Sequence, residues 1–381
     1  MKRIKKKKLK EKKIIVFSFG RSDFGILRGL VKKLKKKNKL DLIATGAHNS
    51  KIFGNTFTEI QQQKMNFKKI VINYEKNSKN NTGKVFSEIL FKINNFLSKK
   101  KYNYTIILGD RYEALAAAII CFQFGIKIIH IGGGSLTTGS RDQIYRNCIS
   151  QFAQLHLVET NLHKKQLSKL NINKNVFVVG SLALDNINYR KTLDKENFQK
   201  KLNIKFIKNK KIFISTFHPD TTISLQKNLK NLNILIKFLI KRNENVLFTY
   251  PNADEGFREY IKLIKKLNNF KNFFVIKNLG QEMYFSALKF SNFLIGNSSS
   301  GIIEAPSFKI PILNLGNRQG KRFRSKTVIN SEFNINKINK KFKYINSKSY
   351  LSLIKKMRNI YEKKDSLKAG VRIINKFINA N

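Results

Sequence analysis

Cysteine, acidic side chains and long apolar runs are all scarce in this sequence. The two cysteines, Cys121 and Cys148, have no metal-ligand spacing and cannot build a disulfide framework. Each sits in apolar or helix-period surroundings and reads as a small buried hydrophobe of a reducing compartment. No apolar run approaches the roughly 20 residues that a membrane-spanning helix requires, so no membrane partner is expected. The basic stretch 1–13 leads only into the short run Ile14–Phe19, and Gly20-Arg21 follows in place of a small-residue cleavage site. It reads as a solvated, poorly ordered tail ahead of a buried strand, not as a signal peptide, and the expected location is cytoplasmic. Repeats of solenoid period and low-complexity blocks are also missing.

The shortage of acid is extreme: 23 Asp and Glu face 76 Lys and Arg, for a net charge of +53. Such a balance ordinarily suggests nucleic acid or an anionic membrane. Here the lysines are spread over the whole chain among Asn, Ile and Phe. No zinc finger, RNA-recognition signature or helix-turn-helix pattern accompanies them, so no specific nucleic-acid partner is expected. The surplus charge favours an anionic small substrate without naming one.

What remains is ample for two α/β cores: 381 residues, 41% of them hydrophobic. Short apolar runs alternate with helix-period segments. Strands are expected at Ile14–Phe19, Leu42–Ala44, Ile70–Ile72, Tyr104–Leu108, Ile126–Ile131, Leu155–Val158 and Val176–Val179, with helices over Phe24–Lys37 and Lys84–Lys100 and a turn-rich stretch at Asn77–Gly83. Polar Asp185–Asn209 reads as the interdomain connection. The pattern restarts with strands Ile212–Thr216, Val246–Thr249, Phe273–Ile276, Asn292–Ile295 and a last one at Ile310–Leu313, with helices from about Thr222 and Asp254. Amphipathic Ser347–Phe377 is expected to be helical. Strand–helix–strand repetition forces parallel sheets with helices on both faces. Two doubly wound Rossmann-like domains follow, bounded at 14–190 and 191–345 behind a tail at 1–13. A C-terminal segment, 346–381, completes the chain. Ligands of such sheets lie beyond the carboxyl ends of the strands.

Polar residues gather after the strands. Gly20-Arg21-Ser22-Asp23 opens a helix, where glycine allows close approach and Arg21 offers a forked cation; a plain turn with a surface arginine fits equally. Asp110, in Leu108-Gly109-Asp110-Arg111, is either a helix cap or an acid facing the cleft. Gly132-Gly133-Gly134 suggests close approach of backbone to ligand. Asp142 and Arg146 share one helix face, as an ion pair or as site residues. His218 follows the first strand of the second half and suits contact with a diphosphate, or is a satisfied structural histidine. In Gly296-Asn297-Ser298-Ser299-Ser300-Gly301, hydroxyls and backbone N–H groups make a cradle for phosphate oxygens. Glu304 follows, suited to ribose hydroxyls or to the helix dipole, and Arg318 lies after the next strand.

With these pieces in order the chain resembles the UDP-N-acetylglucosamine 2-epimerase family, and most of all its hydrolysing branch. The likeness runs from Ile14 to Ile329. It is carried by Leu108–Leu115, Val179-Gly180-Ser181 with Leu184-Asp185-Asn186, Phe248–Asp254, Gly296–Pro306 and Leu315–Gln319. The resemblance implies the glycosyltransferase-B architecture, with the active site in the interdomain cleft and the last helix crossing back to the first domain. It implies that UDP contacts Arg21, Ser22, Arg111, His218, Asn252, Leu279, Ser298, Ser299, Glu304 and Arg318. It implies elimination of UDP to a 2-acetamidoglucal and then addition of water, giving UDP and a free 2-epimer such as N-acetylmannosamine. Asp110 and Asp142 are the carboxylates expected to handle the C2 proton, with His218 assisting the leaving group and neither metal nor cofactor called for. A homodimer and a place in nonulosonic acid (sialic or legionaminic type) biosynthesis are further implications. The chain departs from the family pattern at Gly132, where members usually carry an acid, histidine or serine, and at Ser135, Gln143 and Asn147, where they usually carry acids or histidine. Other readings are a non-hydrolysing epimerase, a UDP-N,N'-diacetylbacillosamine 2-epimerase, a glycosyltransferase on the same scaffold, a non-catalytic UDP-sugar binder and a basic nucleic-acid-binding protein.

Overall fold

The computed structural model describes residues 12–49, 56–73, 82–138, 141–189, 192–252 and 256–380. Residues 1–11 of the expected basic tail, most of the turn at Asn77–Gly83, and Asp254 lie outside the described residues.

Strands β1 (Lys13–Ser18), β2 (Lys39–Ala44), β3 (Lys68–Lys69), β4 (Tyr104–Leu108), β5 (Lys127–Ile131), β6 (Ala153–Val158) and β7 (Val176–Val178) form one parallel sheet, ordered β3-β2-β1-β4-β5-β6-β7. Strands β8 (Ile212–Thr216), β9 (Asn245–Thr249), β10 (Phe273–Ile276), β11 (Phe293–Gly296), β12 (Ile312–Leu315) and β13 (Val328–Ser331) form a second, ordered β10-β9-β8-β11-β12-β13 and again parallel. The central strands are runs of Ile, Val, Leu and Phe because both faces are covered by helices and neither meets water. The helix Arg21–Leu34 packs on one face of the first sheet through Phe24, Leu27, Leu30, Val31 and Leu34. The helices Thr82–Leu97 and Tyr112–Gln123 pack on the other. In both sheets the winding reverses between the first strand and its neighbour, β1/β4 and β8/β11, and a ligand crevice opens at such a reversal.

Five expectations need correction. The third strand is Lys68–Lys69, not Ile70–Ile72: Ile70 and Ile72 are buried and Val71 is 53% exposed, but only the Ile70 N–H reaches the sheet, at Ala44 O (3.1 Å). Alternating burial alone does not make a strand. The strand expected at Ile310–Leu313 begins at Ile312, since Pro311 has no N–H to give a ladder. One further strand, β13, was not expected, because Val328-Ile329-Asn330-Ser331 is half polar. Amphipathic Ser347–Phe377 is interrupted: Ser347 caps the helix Lys348–Lys356, and a second helix, Ser366–Ala380, starts after Asp365 at φ +59°. The first buries Tyr350 and Ile354 against the second sheet. The second returns to the first sheet with Leu367, Ile374 and Ile378. Polar Asp185–Asn209 also holds a helix, Lys195–Leu202, capped by Asp194 and anchored by Phe198.

Candidate active site

The carboxyl ends of both sheets face one cavity of about 320 Å³, within the usual range for a small-molecule site. Its first-domain wall is built by residues after β1, β4, β6 and β7: Arg21, Ser22, Arg111, Glu159 and Ser181. The opposite wall follows β8, β9, β10 and β11: His218, Asn252, Leu279, Ser298, Ser299 and Glu304. The two sides touch at the rim. The Thr138 hydroxyl donates to Asn317 O at 3.0 Å, and the Arg141 N–H donates to Thr221 Oγ1 at 3.3 Å.

On the second-domain side, the turn after β11 is built for oxygen ligands. A Cβ on Gly296 would stand 2.2 Å from Thr216 O, so only glycine lets β11 pass β8 here. The chain then turns through Ser298, Ser299 and Ser300 into a single helical turn, Ser300–Ile303. The Ser298 and Ser300 hydroxyls meet at 3.0 Å, and Tyr284 OH meets Ser300 Oγ at 2.6 Å. His218 is fixed by Asn297: its N–H donates to Asn297 Oδ1 (2.7 Å) while Asn297 Nδ2 donates to His218 O (2.8 Å). The Asn252 N–H donates to His218 Nδ1 at 2.9 Å. Nδ1 is therefore the acceptor, and the ring proton sits on Nε2. Burial, and then the Arg318 guanidinium, holds His218 well below the ordinary histidine range. A neutral imidazole N–H thus faces the cavity. Arg318 is buried behind it and donates Nε–H to Pro219 O at 3.2 Å.

On the first-domain side, Arg21 is paired with Glu59 at 3.1 Å. Burial lowers its pKa and Glu59 partly restores it. Arg111 forks onto fully buried Glu113, at 2.7 and 3.2 Å. Asp23 accepts the Phe19 N–H (3.1 Å) and shapes the turn after β1; burial raises its pKa, opposed first by Arg111. Asp110 does not cap the helix that follows, whose N-cap is Arg111 with no side-chain capping bond. Asp110 is ion-paired with Arg146, a side chain 1% exposed that also donates to Ser135 O at 2.5 Å. Burial and neighbouring Arg322 push the Arg146 guanidinium down to about 9.

The cavity therefore brings together Arg21, Ser22, Arg111, His218, Asn252, Leu279, Ser298, Ser299 and Glu304. Asp110, Asp142 and Arg318 are not among the residues lining it. The glycine run 132–134 serves the protein's own packing: a Cβ on Gly134 would stand 2.2 Å from His163 O, and one on Gly133 2.9 Å from Ser150 Oγ. Sequence reasoning passed over Glu159, Lys277, Gln281 and Tyr284, all in the cavity wall. Glu159 and Lys277 directly follow β6 and β10, and that position was the available signal. Tyr284 and Gln281 lie on the helix Gly280–Phe290 and gave none.

A sequence model of UDP-N-acetylglucosamine 2-epimerase matches residues 32–376. The chain belongs to the UDP-N-acetylglucosamine 2-epimerase family. Among its relatives is a Campylobacter jejuni protein named GDP/UDP-N,N'-diacetylbacillosamine 2-epimerase (hydrolyzing), 35% identical over 90% of this chain and 89% of that protein. Another is the Escherichia coli polysialic acid biosynthesis protein P7, 32% identical over 96% and 94%. In fold, the chain is similar to the Methanocaldococcus jannaschii UDP-GlcNAc 2-epimerase solved with UDP-GlcNAc and UDP, with a TM-score of 0.77, 19% identity, and 96% and 99% coverage. The family architecture, two facing Rossmann-like domains of glycosyltransferase-B type, is the one described above. Among the described residues no helix is long and apolar enough to cross a membrane.

Proposed function

We propose that this 2-epimerase family member is hydrolysing: it removes UDP from a UDP-2-acetamido sugar, inverts carbon 2 and releases the free sugar. The observation that carries the reading is the cavity between the sheets, with Arg21 and Arg111 on one wall and neutral His218, Ser298 and Ser299 on the other. Opposed cations and hydroxyls suit a diphosphate. Asn252, Leu279 and Glu304 would hold the nucleoside, Glu304 accepting from ribose hydroxyls. Arg318 would act from behind His218, and Ser22 from the turn after β1.

The chemistry follows from charge development. The C2 proton is weakly acidic, so a carboxylate must take it as the C1–O bond breaks. The C–H electron pair becomes the C1=C2 bond of the glycal, and the C1–O pair leaves with UDP. That departing negative charge is met by Arg21, Arg111 and the Nε2–H of His218. Water then adds across the double bond, its hydroxide to C1 and a proton to the other face of C2. Asp110, ion-paired with Arg146, is the proposed base, and Asp142 the proposed second carboxylate, both from outside the cavity lining.

N-acetylglucosamine is the first sugar to try. A 2,4-diacetamido-6-deoxy sugar is the second reading, favoured by the name of the 35% identical relative. Either product would enter nonulosonic acid synthesis. Proton NMR of the purified protein with UDP-N-acetylglucosamine in D₂O tests the reading. Free UDP with N-acetylmannosamine deuterated at C2 is expected. A nucleotide-linked 2-epimer with no free UDP would make the enzyme non-hydrolysing. An unchanged sugar would move the test to the diacetamido substrate.

A further inference from the structure

Among the described residues two carboxylates line the cavity, Glu304 and Glu159. Glu304 stands on the second-domain wall beside Ser300 and Tyr284, where the nucleoside is proposed. Glu159 stands alone on the opposite wall, on the residue after β6, and its side chain is 16% exposed. The Ser181 hydroxyl donates to it, and the charges of Arg322 and Arg146 reach it. His163 Nδ1, on the helix Asn161–Ser168, lies 3.8 Å from Glu159 Oε2. Burial and the two arginines hold that histidine down at about 3, so it brings no charge. Tyr361 completes the surroundings, its phenol pushed up by burial.

Arg146 therefore links two carboxylates: it is ion-paired with Asp110 directly, and its charge acts on Glu159. The two differ in character. Asp110 is in a direct ion pair with Arg146 and lies outside the cavity lining, whereas Glu159 lines the cavity. Glu159 is raised above the usual carboxylate range because burial outweighs Ser181 and the arginines. Inversion at one carbon needs a base on one face and an acid on the other, and a carboxyl set in the cavity wall with Ser181 beside it suits the acid.

We propose that Glu159 is a catalytic residue, the acid that protonates C2 of the glycal on the face opposite the base. This rests on the epimerase reading above. The O–H bond of Glu159 breaks and its proton joins C2, while the C1=C2 electron pair forms the new C2–H bond. Water attacks C1, and the proton that water sheds restores Glu159. Elimination does not use this acid, so the two half-reactions separate on its removal.

The experiment compares wild type, Glu159→Gln and Glu159→Asp with the UDP-sugar the wild type turns over. Released UDP, glycal and deuterated epimer are followed by NMR, alongside UDP affinity and the pH profile. In Glu159→Gln, epimer formation should fall by at least about 100-fold. UDP affinity should stay within about threefold, glycal should accumulate, and the alkaline limb of the profile should move. Glu159→Asp, with its carboxyl drawn back by one methylene, should release some glycal and keep part of the turnover. If Glu159→Gln does not fold, the glycal-to-epimer ratio of Glu159→Asp decides. A purely structural role would slow UDP release and epimer formation together. A glycal-to-epimer ratio equal to that of wild type overturns the proposal and leaves the epimerase reading intact. A wild type that binds UDP but releases none from either sugar overturns both.

Discussion

His218 is the residue on which the proposed chemistry turns. Its Nδ1 already accepts the Asn252 N–H, so protonation cannot occur there without breaking that bond. It donates through Nε2 as a neutral group, and its effect is geometric placement more than charge. His218→Ala should lower kcat by about 100- to 1,000-fold, the scale for losing one positioned donor at a developing anion. Steady-state kinetics with UDP release as readout checks this, and UDP affinity should fall less than kcat. A second residue-scale prediction concerns Gly134, at φ +76° with His163 O where a Cβ would be. Gly134→Ala should cost about 2–4 kcal/mol of stability, from strain and overpacking, measured by urea denaturation. The sequence did mark this glycine as unusual. It did not reveal that the close partner is the protein's own backbone.

At the scale of elements, the legible parts were those where pattern and physics agree. Buried parallel strands are apolar runs, and Ile212–Thr216 and Phe273–Ile276 were readable to the residue. The misses share a cause: they depend on partners far along the chain. β13 is a strand because β12 offers it a ladder, not because Val328-Ile329-Asn330-Ser331 is itself persuasive. Glu159 is in the cavity because β6 ends there. The site was legible wherever a turn carried several polar residues, as at Ser298-Ser299, and illegible where one carboxylate followed a strand alone. The helix Ser366–Ala380 supplies this scale's prediction. Ile374 is fully buried against the first sheet's core. Ile374→Asp should destabilise by more than about 3 kcal/mol, since it opens a cavity and buries a charge. Calorimetry should show the loss in the first domain.

For the whole molecule, the five histidines act in one direction. Burial is the leading cause in each: His48, His130 and His163 are held at about 3, His156 at about 4, and His218 well down. All would titrate near 6.5 in the unfolded chain. Below that pH the unfolded state binds protons that the folded state refuses, so stability falls as pH falls from about 6.5 toward 4. Each histidine contributes up to about 1.4 kcal/mol per pH unit over that window. The urea midpoint should therefore drop between pH 7 and pH 5. The net charge of +53 adds self-repulsion, so raising sodium chloride from about 0.05 to about 0.5 M should raise the melting temperature.

The return of Ser366–Ala380 to the first sheet also sets the order in which the molecule can be completed. Leu34, Tyr104 and Leu157 share a core with Leu367, Ile374 and Ile378. On the ribosome the first domain is made early, yet its last hydrophobic face stays uncovered until the second domain has been synthesised. The half of the protein that emerges first is the half that finishes last.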